Sequence, residues 1–162
     1  MMVQNPSDLT FVVDSMLGKV AKWLRILGYD AAFTRLTAPS QLARWTGQGR
    51  LIVTRGRRWQ PGERVILLTA DRLEVQMRQL IAHLDLKFDR SRVLTRCPRC
   101  NTALQPISRP EVETRVPDAV LTRGYLFRHC PNCGRIYWPG THSQRILNRL
   151  NRFWTDPIQE SN

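Results

Sequence analysis

Two short cysteine pairs, Cys97-Pro-Arg-Cys100 and Cys130-Pro-Asn-Cys133, constrain this chain more than any other feature. Four thiols in two tight knuckles about thirty residues apart suit one tetrahedral Zn²⁺. Each pair has Pro after its first cysteine and a turn-former, Asn101 or Gly134, after its second, so the backbone can curl and aim both sulfurs at one ion. There is no other cysteine. Two disulfides are the alternative, but the N-terminus carries no signal-peptide pattern, and a reducing compartment leaves CxxC thiols free for metal. Cys97, Cys100, Cys130 and Cys133 are therefore expected to hold a structural zinc. With four sulfurs bound, no coordination position is left for a reactive water.

The 162 residues suffice for one ordinary domain, and the cysteines lie late in the chain. The expected division is a main body over 9–92, a zinc ribbon over 93–142, and a basic C-terminal helix and tail over 143–162. Formal net charge is +12, and four thiolates with one zinc lower it only to about +10. An anionic partner follows, with nucleic acid as the first candidate. Lysine occurs only at Lys19, Lys22 and Lys87, so the excess is arginine, whose planar fork suits phosphate. Between Asp118 and Asp156 there is no acid, while Arg123, Arg128, Arg135, Arg145, Arg149 and Arg152 fall there with Tyr137 and Trp138. A basic, aromatic-bearing surface on the ribbon and tail is expected, unless Trp138 is packed inside. No apolar stretch approaches membrane-spanning length, so a cytoplasmic protein without membrane contact is expected.

Leu9 to Val13 reads as a buried strand ending at Asp14. A helix follows in which Met16, Leu17, Val20, Trp23, Leu24 and Leu27 form one face and Lys19, Lys22 and Arg25 the other. Ala31–Thr34, Leu51–Thr54 and Val65–Thr69 read as further strands, with a short helix from Pro39 and a longer one, opened by an Asp71/Glu74 capping box, running to Leu84. Gly124–Phe127 reads as a returning strand, and Ser143–Trp154 as a terminal helix with exposed arginines. Alternating strands and helices predict an α/β fold. Its sheet should be mostly parallel, with ligands bound outside the carboxyl ends of the strands, where Asp14 falls.

The run from Phe11 to Asp30, followed by Leu51-Ile-Val-Thr54-Arg55, resembles the Mut-seven C-terminal RNase domain family. So does the zinc half, from Arg96 to Asn101 and from Cys130 to His142. The resemblance covers Thr10 to about Leu150. It implies a PIN-like parallel sheet with flanking helices, a small four-cysteine zinc ribbon and a C-terminal helix, and metal-dependent ribonuclease activity.

Such nucleases gather several carboxylates at the strand ends, because Mg²⁺ or Mn²⁺ prefers hard oxygen ligands and in-line attack needs an activated water. Asp14 is the expected ligand, although it also suits a helix cap. The family's pattern puts an acid directly after the Thr-Arg of the third strand, where this chain has Gly56, and the acidic start of its second helix is replaced by Thr37-Ala38-Pro39-Ser40-Gln41. Asp71 could join Asp14, though capping is the better reading. Asp30, at the start of the second strand, reads as structural.

Arg55, Arg57 and Arg58 would grip phosphate beside the missing acid, and Lys19, Lys22 and Arg25 could guide an RNA backbone. Arg135, Trp138 and His142 add contacts from the ribbon. Two functions follow. The first is phosphodiester hydrolysis around Asp14, with Mg²⁺ or Mn²⁺ and a structural Zn²⁺. The second is a catalytically reduced protein, marked by Gly56, that binds RNA or a ribonucleoprotein. A DNA-binding zinc ribbon is a third, and it leaves the nuclease-like half unexplained.

Overall fold

The computed structural model describes residues 8–155. The tail expected beyond Thr155 lies outside the described residues.

Strands β1 (Thr10–Asp14), β2 (Asp30–Thr34), β3 (Leu51–Thr54) and β4 (Val65–Leu67) form one parallel sheet in the order β2-β1-β3-β4. β1 is central, and its residues 11–14 are all buried. The alternation of a strand splits its side chains between two cores. Phe11, Val13, Leu51 and Val53 face α1 (Gly18–Ile26), α3 (Leu73–Leu84) and α6 (Thr141–Thr155). Val12 and Ile52 face Leu36, Trp59 and α2 (Pro39–Gly47) on the other side.

The four strands of the sheet stand where they were expected, although the fourth stops at Leu67 rather than Thr69. The α/β architecture is as read from the alternation of elements, with helices on both faces.

The terminal helix α6 is part of the main core. Leu150 and Phe153 are buried, and Phe153 meets Trp23 edge to face at 5.3 Å. The Trp154 indole N–H donates to the Leu86 carbonyl at 3.0 Å, and Arg149 pairs with Glu74 at 2.7 Å.

A second sheet, antiparallel and ordered β5-β6-β7, builds the ribbon from Gln105–Ile107, Phe127–His129 and Ile136–Tyr137. Between β5 and β6 two short helices, α4 (Arg109–Val112) and α5 (Asp118–Leu121), bury Val112 and Leu121 with Val116 and Phe127 in a third small core. These helices have only one turn of pattern each and escape a sequence reading.

Two expectations are corrected. Gly124 takes a left-handed φ of +63° in a turn, so the returning strand starts at Phe127 rather than Gly124. The Asp71/Glu74 capping box does not form. α3 begins at Leu73 without a side-chain cap, while the Gln76 amide donates to the Ala70 carbonyl and the Gln79 amide oxygen accepts from the Thr69 N–H. Glutamines one turn further on hold the chain entering this helix, which releases Asp71 for an ion pair.

Candidate functional site

The two knuckles have the same hydrogen-bond plan. In the first, the Asn101 N–H donates to the Cys97 carbonyl at 2.9 Å and the Cys97 N–H to the Thr102 carbonyl at 2.8 Å. In the second, the Gly134 N–H donates to Cys130 at 2.8 Å and the Cys130 N–H to Arg135 at 2.9 Å. Asn101 and Gly134 both have positive φ, 65° and 69°. These are the residue types that tolerate the left-handed turn.

The result is four sulfurs within 4.8 Å of one another, with Cys97 and Cys133 3.8 Å apart. A tetrahedron of four sulfurs around zinc with bonds of ~2.3 Å has edges of about 3.8 Å, whereas a disulfide needs ~2.05 Å. The cysteines are free thiols whose donor set and spacing can hold a metal such as zinc.

Burial works against a thiolate at Cys97. The Tyr137 hydroxyl, 3.2 Å away, and the backbone N–H groups of Cys100 and Arg99 outweigh that cost and lower its pKa to about 7. Burial, and then the same contact, raises the Tyr137 phenol. The hydroxyl is thus kept as a donor to sulfur, the outer-shell arrangement that steadies a metal-bound thiolate.

The first knuckle is welded to the parallel sheet. Arg25 was expected on the exposed face of α1 as an RNA contact. It is instead only 9% exposed. Its guanidinium donates to the carbonyls of Ala31 (2.9 Å), Pro98 (3.2 Å) and Arg99 (2.9 Å), so it ties α1 and β2 to the knuckle and is spent on structure.

The Asn101 side chain completes the seam. Its oxygen accepts from the Ala31 N–H at 2.9 Å, and its amide donates to Asp30 at 2.7 Å. Arg50 grips Asp30 with both terminal nitrogens, at 3.1 and 2.8 Å. Burial disfavours the Asp30 carboxylate, but the bonds from Arg50 and Asn101 prevail and hold its pKa below the ordinary carboxylate value. Asp30 therefore has a structural role at the opening of β2.

At the carboxyl end of the same sheet, Asp14 is 6% exposed. One carboxylate oxygen accepts from the Thr54 hydroxyl at 2.7 Å and the other from the Leu36 N–H at 3.4 Å. The Thr54 oxygen in turn accepts from the Gly56 N–H at 3.0 Å. A Cβ added at Gly56 would stand 3.0 Å from Cδ1 and 3.2 Å from Nε1 of Trp59, whose indole is buried. A side chain at position 56 would be tight against that indole, which would have to give by a few tenths of an ångström.

The basic loop is similarly committed. Arg55 forms an ion pair with Asp71, whose side chain is 86% exposed. Arg58 donates to the Leu36 carbonyl and lies over the Trp59 ring at 4.4 Å. Among the described residues, the four cysteines are the only group of three or more close metal-ligating side chains.

The Mut7-C RNAse domain family model matches residues 9–150. The chain belongs to this family. No curated protein gives a match. Membership in the Mut7-C RNAse domain family gives the protein a nuclease-like, RNA-acting character, with RNA as the expected substrate or partner. No helix among the described residues is long and apolar enough to cross a membrane.

In this Mut7-C RNAse domain protein, four of the residues expected to contact RNA converge. Lys22, Arg135, Trp138 and His142 line one cleft of about 1040 Å³ between α1, the ribbon and the start of α6. Lys19 and Arg57 are exposed outside it, while Arg55 and Arg58 make the intramolecular contacts described above. Arg99, Arg123, Tyr125 and Arg145 also line the cleft and are not among the contacts expected from sequence. The acid-free interval after Asp118 is the signal for Arg123, Tyr125 and Arg145, although nothing in it shows that they meet.

Proposed function

We propose that this Mut7-C RNAse domain protein binds RNA and does not hydrolyse it by metal-activated water. The observation that carries this is the packing of Trp59 against Gly56. Position 56, where an acid would complete the Asp14 site, is a glycine packed against a buried indole, and the loop is fastened by Arg58.

Two further features support it. Asp14 already accepts hydrogen bonds at both oxygens, and Asp71 is engaged by Arg55. The side chains around Asp14 do not offer the hard-oxygen cage that Mg²⁺ or Mn²⁺ needs, so they do not fit a catalytic divalent ion. The zinc would serve structure, since four thiolates complete its tetrahedron. A reducing, cytoplasmic setting suits such a site.

Hydrolysis centred on Asp14 is the competing function, favoured by its place at the carboxyl end of the central strand. Incubating zinc-loaded protein with labelled unstructured RNA and Mn²⁺ or Mg²⁺ separates the two. Bound, intact RNA is expected. Cleavage by the native chain that disappears in Asp14→Asn would overturn the proposal.

A further inference from the structure

We propose that the cleft between α1, the ribbon and α6 is the RNA site, and that it takes a single-stranded segment with phosphates on its rim and bases against its floor. This rests on the RNA-binding function proposed above and adds where the RNA lies and in what form.

The rim is cationic. Lys22 stands on α1, Arg99 within the first knuckle, Arg123 after α5, Arg135 beside the second knuckle and Arg145 on α6. All five are exposed, and no Asp or Glu lines the cleft. Arg149, the sixth cation there, is already paired with Glu74. Five like charges converging without an acid repel one another, and a polyanion relieves that cost.

The floor is of a different kind. Ile26, Leu94, Ile136 and Ile146 supply aliphatic surface, and half-buried Tyr125 and Trp138 supply aromatic surface. A ligand that carries only charge would leave this floor wet. A single strand offers both phosphates and unstacked bases, which pack on aromatic side chains. A duplex keeps its bases inside and could meet only the rim.

The cleft also gives the metal a functional role. Pro98, Arg99, Arg135 and Tyr137 belong to or flank the two knuckles, so the fold of the zinc site shapes one wall. Knuckle one, which supplies part of its lining, bonds to Asp30 and Ala31 at the amino end of the sheet, whereas Asp14 lies at the carboxyl end.

Fluorescence anisotropy of a short labelled oligouridylate with the zinc-loaded full chain tests this. With five phosphate contacts, the log–log salt slope should be about −3.5, at roughly −0.7 per contact for a single strand. Arg123→Glu with Arg145→Glu should weaken binding by about tenfold or more. The charge-matched pair Arg72→Glu and Arg109→Glu, outside the cleft, should change it less than about threefold. Tyr125→Ala should cost about tenfold and Tyr125→Phe should restore it, because stacking needs the ring and not the hydroxyl. Zinc content and cooperative unfolding of each variant establish that it folds.

Equal losses from the two charge-reversed pairs would overturn the site while leaving RNA binding intact. No binding by the native chain would instead defeat the proposed function itself. Equal affinity for duplex RNA, for DNA of the same sequence or for polyglutamate would overturn the ligand assignment.

Discussion

The two ends of the parallel sheet use their polar side chains in opposite ways. At the carboxyl end, Asp14, Thr54, Arg55 and Arg58 are engaged by contacts within the chain, and Trp59 packs beside Gly56. Toward the amino end, Arg25, Asp30, Arg50 and Asn101 are also engaged, but in fastening a knuckle to the sheet. Beside that seam lies a cleft that no acid lines and in which, of six cations, Arg149 is paired with Glu74. On the proposed function, the end of the sheet where chemistry is expected is engaged by internal contacts while a basic surface lies open elsewhere. Affinity and catalysis are separable properties of one scaffold.

The largest test of this contrast is removal of the metal. Purified protein should contain about one zinc per chain. Chelation should unfold the ribbon, and it should also destabilise the parallel sheet, because Arg25 and Asn101 bridge the two. Structural zinc sites contribute roughly 10–16 kcal/mol in small peptides, so several kcal/mol should be lost here. Hydrogen exchange of β2 amides reads the effect, and an unchanged sheet in the metal-free protein would break the coupling.

Asp30→Ala comes next. It strands the Arg50 guanidinium and the Asn101 amide in a half-buried seam and should cost about 2–3 kcal/mol in urea denaturation. A loss within experimental error would mean the seam is ornamental.

Gly56→Asp sharpens the other half of the comparison. Against the Trp59 indole it should destabilise by about 1–3 kcal/mol and, by itself, yield no RNA cleavage. Combined with Trp59→Leu, it should cost less than the sum of the single changes, because the smaller side chain vacates the contested space. Additivity would show that Trp59 does not oppose an acid at position 56.

The smallest effect is on pH dependence. The Asp30 pKa is lower in the folded state than in the unfolded chain, so the stability it contributes is fully present above the unfolded value near 4. That contribution is lost as pH falls through the lower folded value. Native stability should therefore decline more steeply below about pH 4 than that of Asp30→Asn.

Much of this molecule was legible in its residues. The strands at 10–14, 30–34, 51–54 and 65–67 announce themselves through short β-branched runs, and the knuckles through fixed spacing and turn chemistry at Asn101 and Gly134. Asp30 as a structural acid and Gly56 as a departure from the family pattern were also readable.

What remained hidden depends on neighbours distant in sequence. Arg25 sits on the polar stripe of a helix, and only the arrival of residues 98 and 99 turns it inward. Asp71 looks like a helix cap until Arg55 claims it and the glutamines take over the turn. Trp59 reads as an aromatic in a basic loop, and its packing against Gly56 emerges only once α2 and the back of the sheet form a core around it. The cleft likewise needs α1, α5 and α6 to meet at the ribbon.

The central claim is that RNA engages the cleft beside the ribbon and leaves the Asp14 end untouched. Ultraviolet crosslinking of a single-stranded RNA to the zinc-loaded protein, with the attached peptides identified by mass spectrometry, tests it most directly. Crosslinks within residues 119–149, at Tyr125 or Trp138 above all, are predicted. Crosslinks confined to residues 14–17, 34–36 and 55–59 would contradict the account and return the function to the carboxyl end of the sheet.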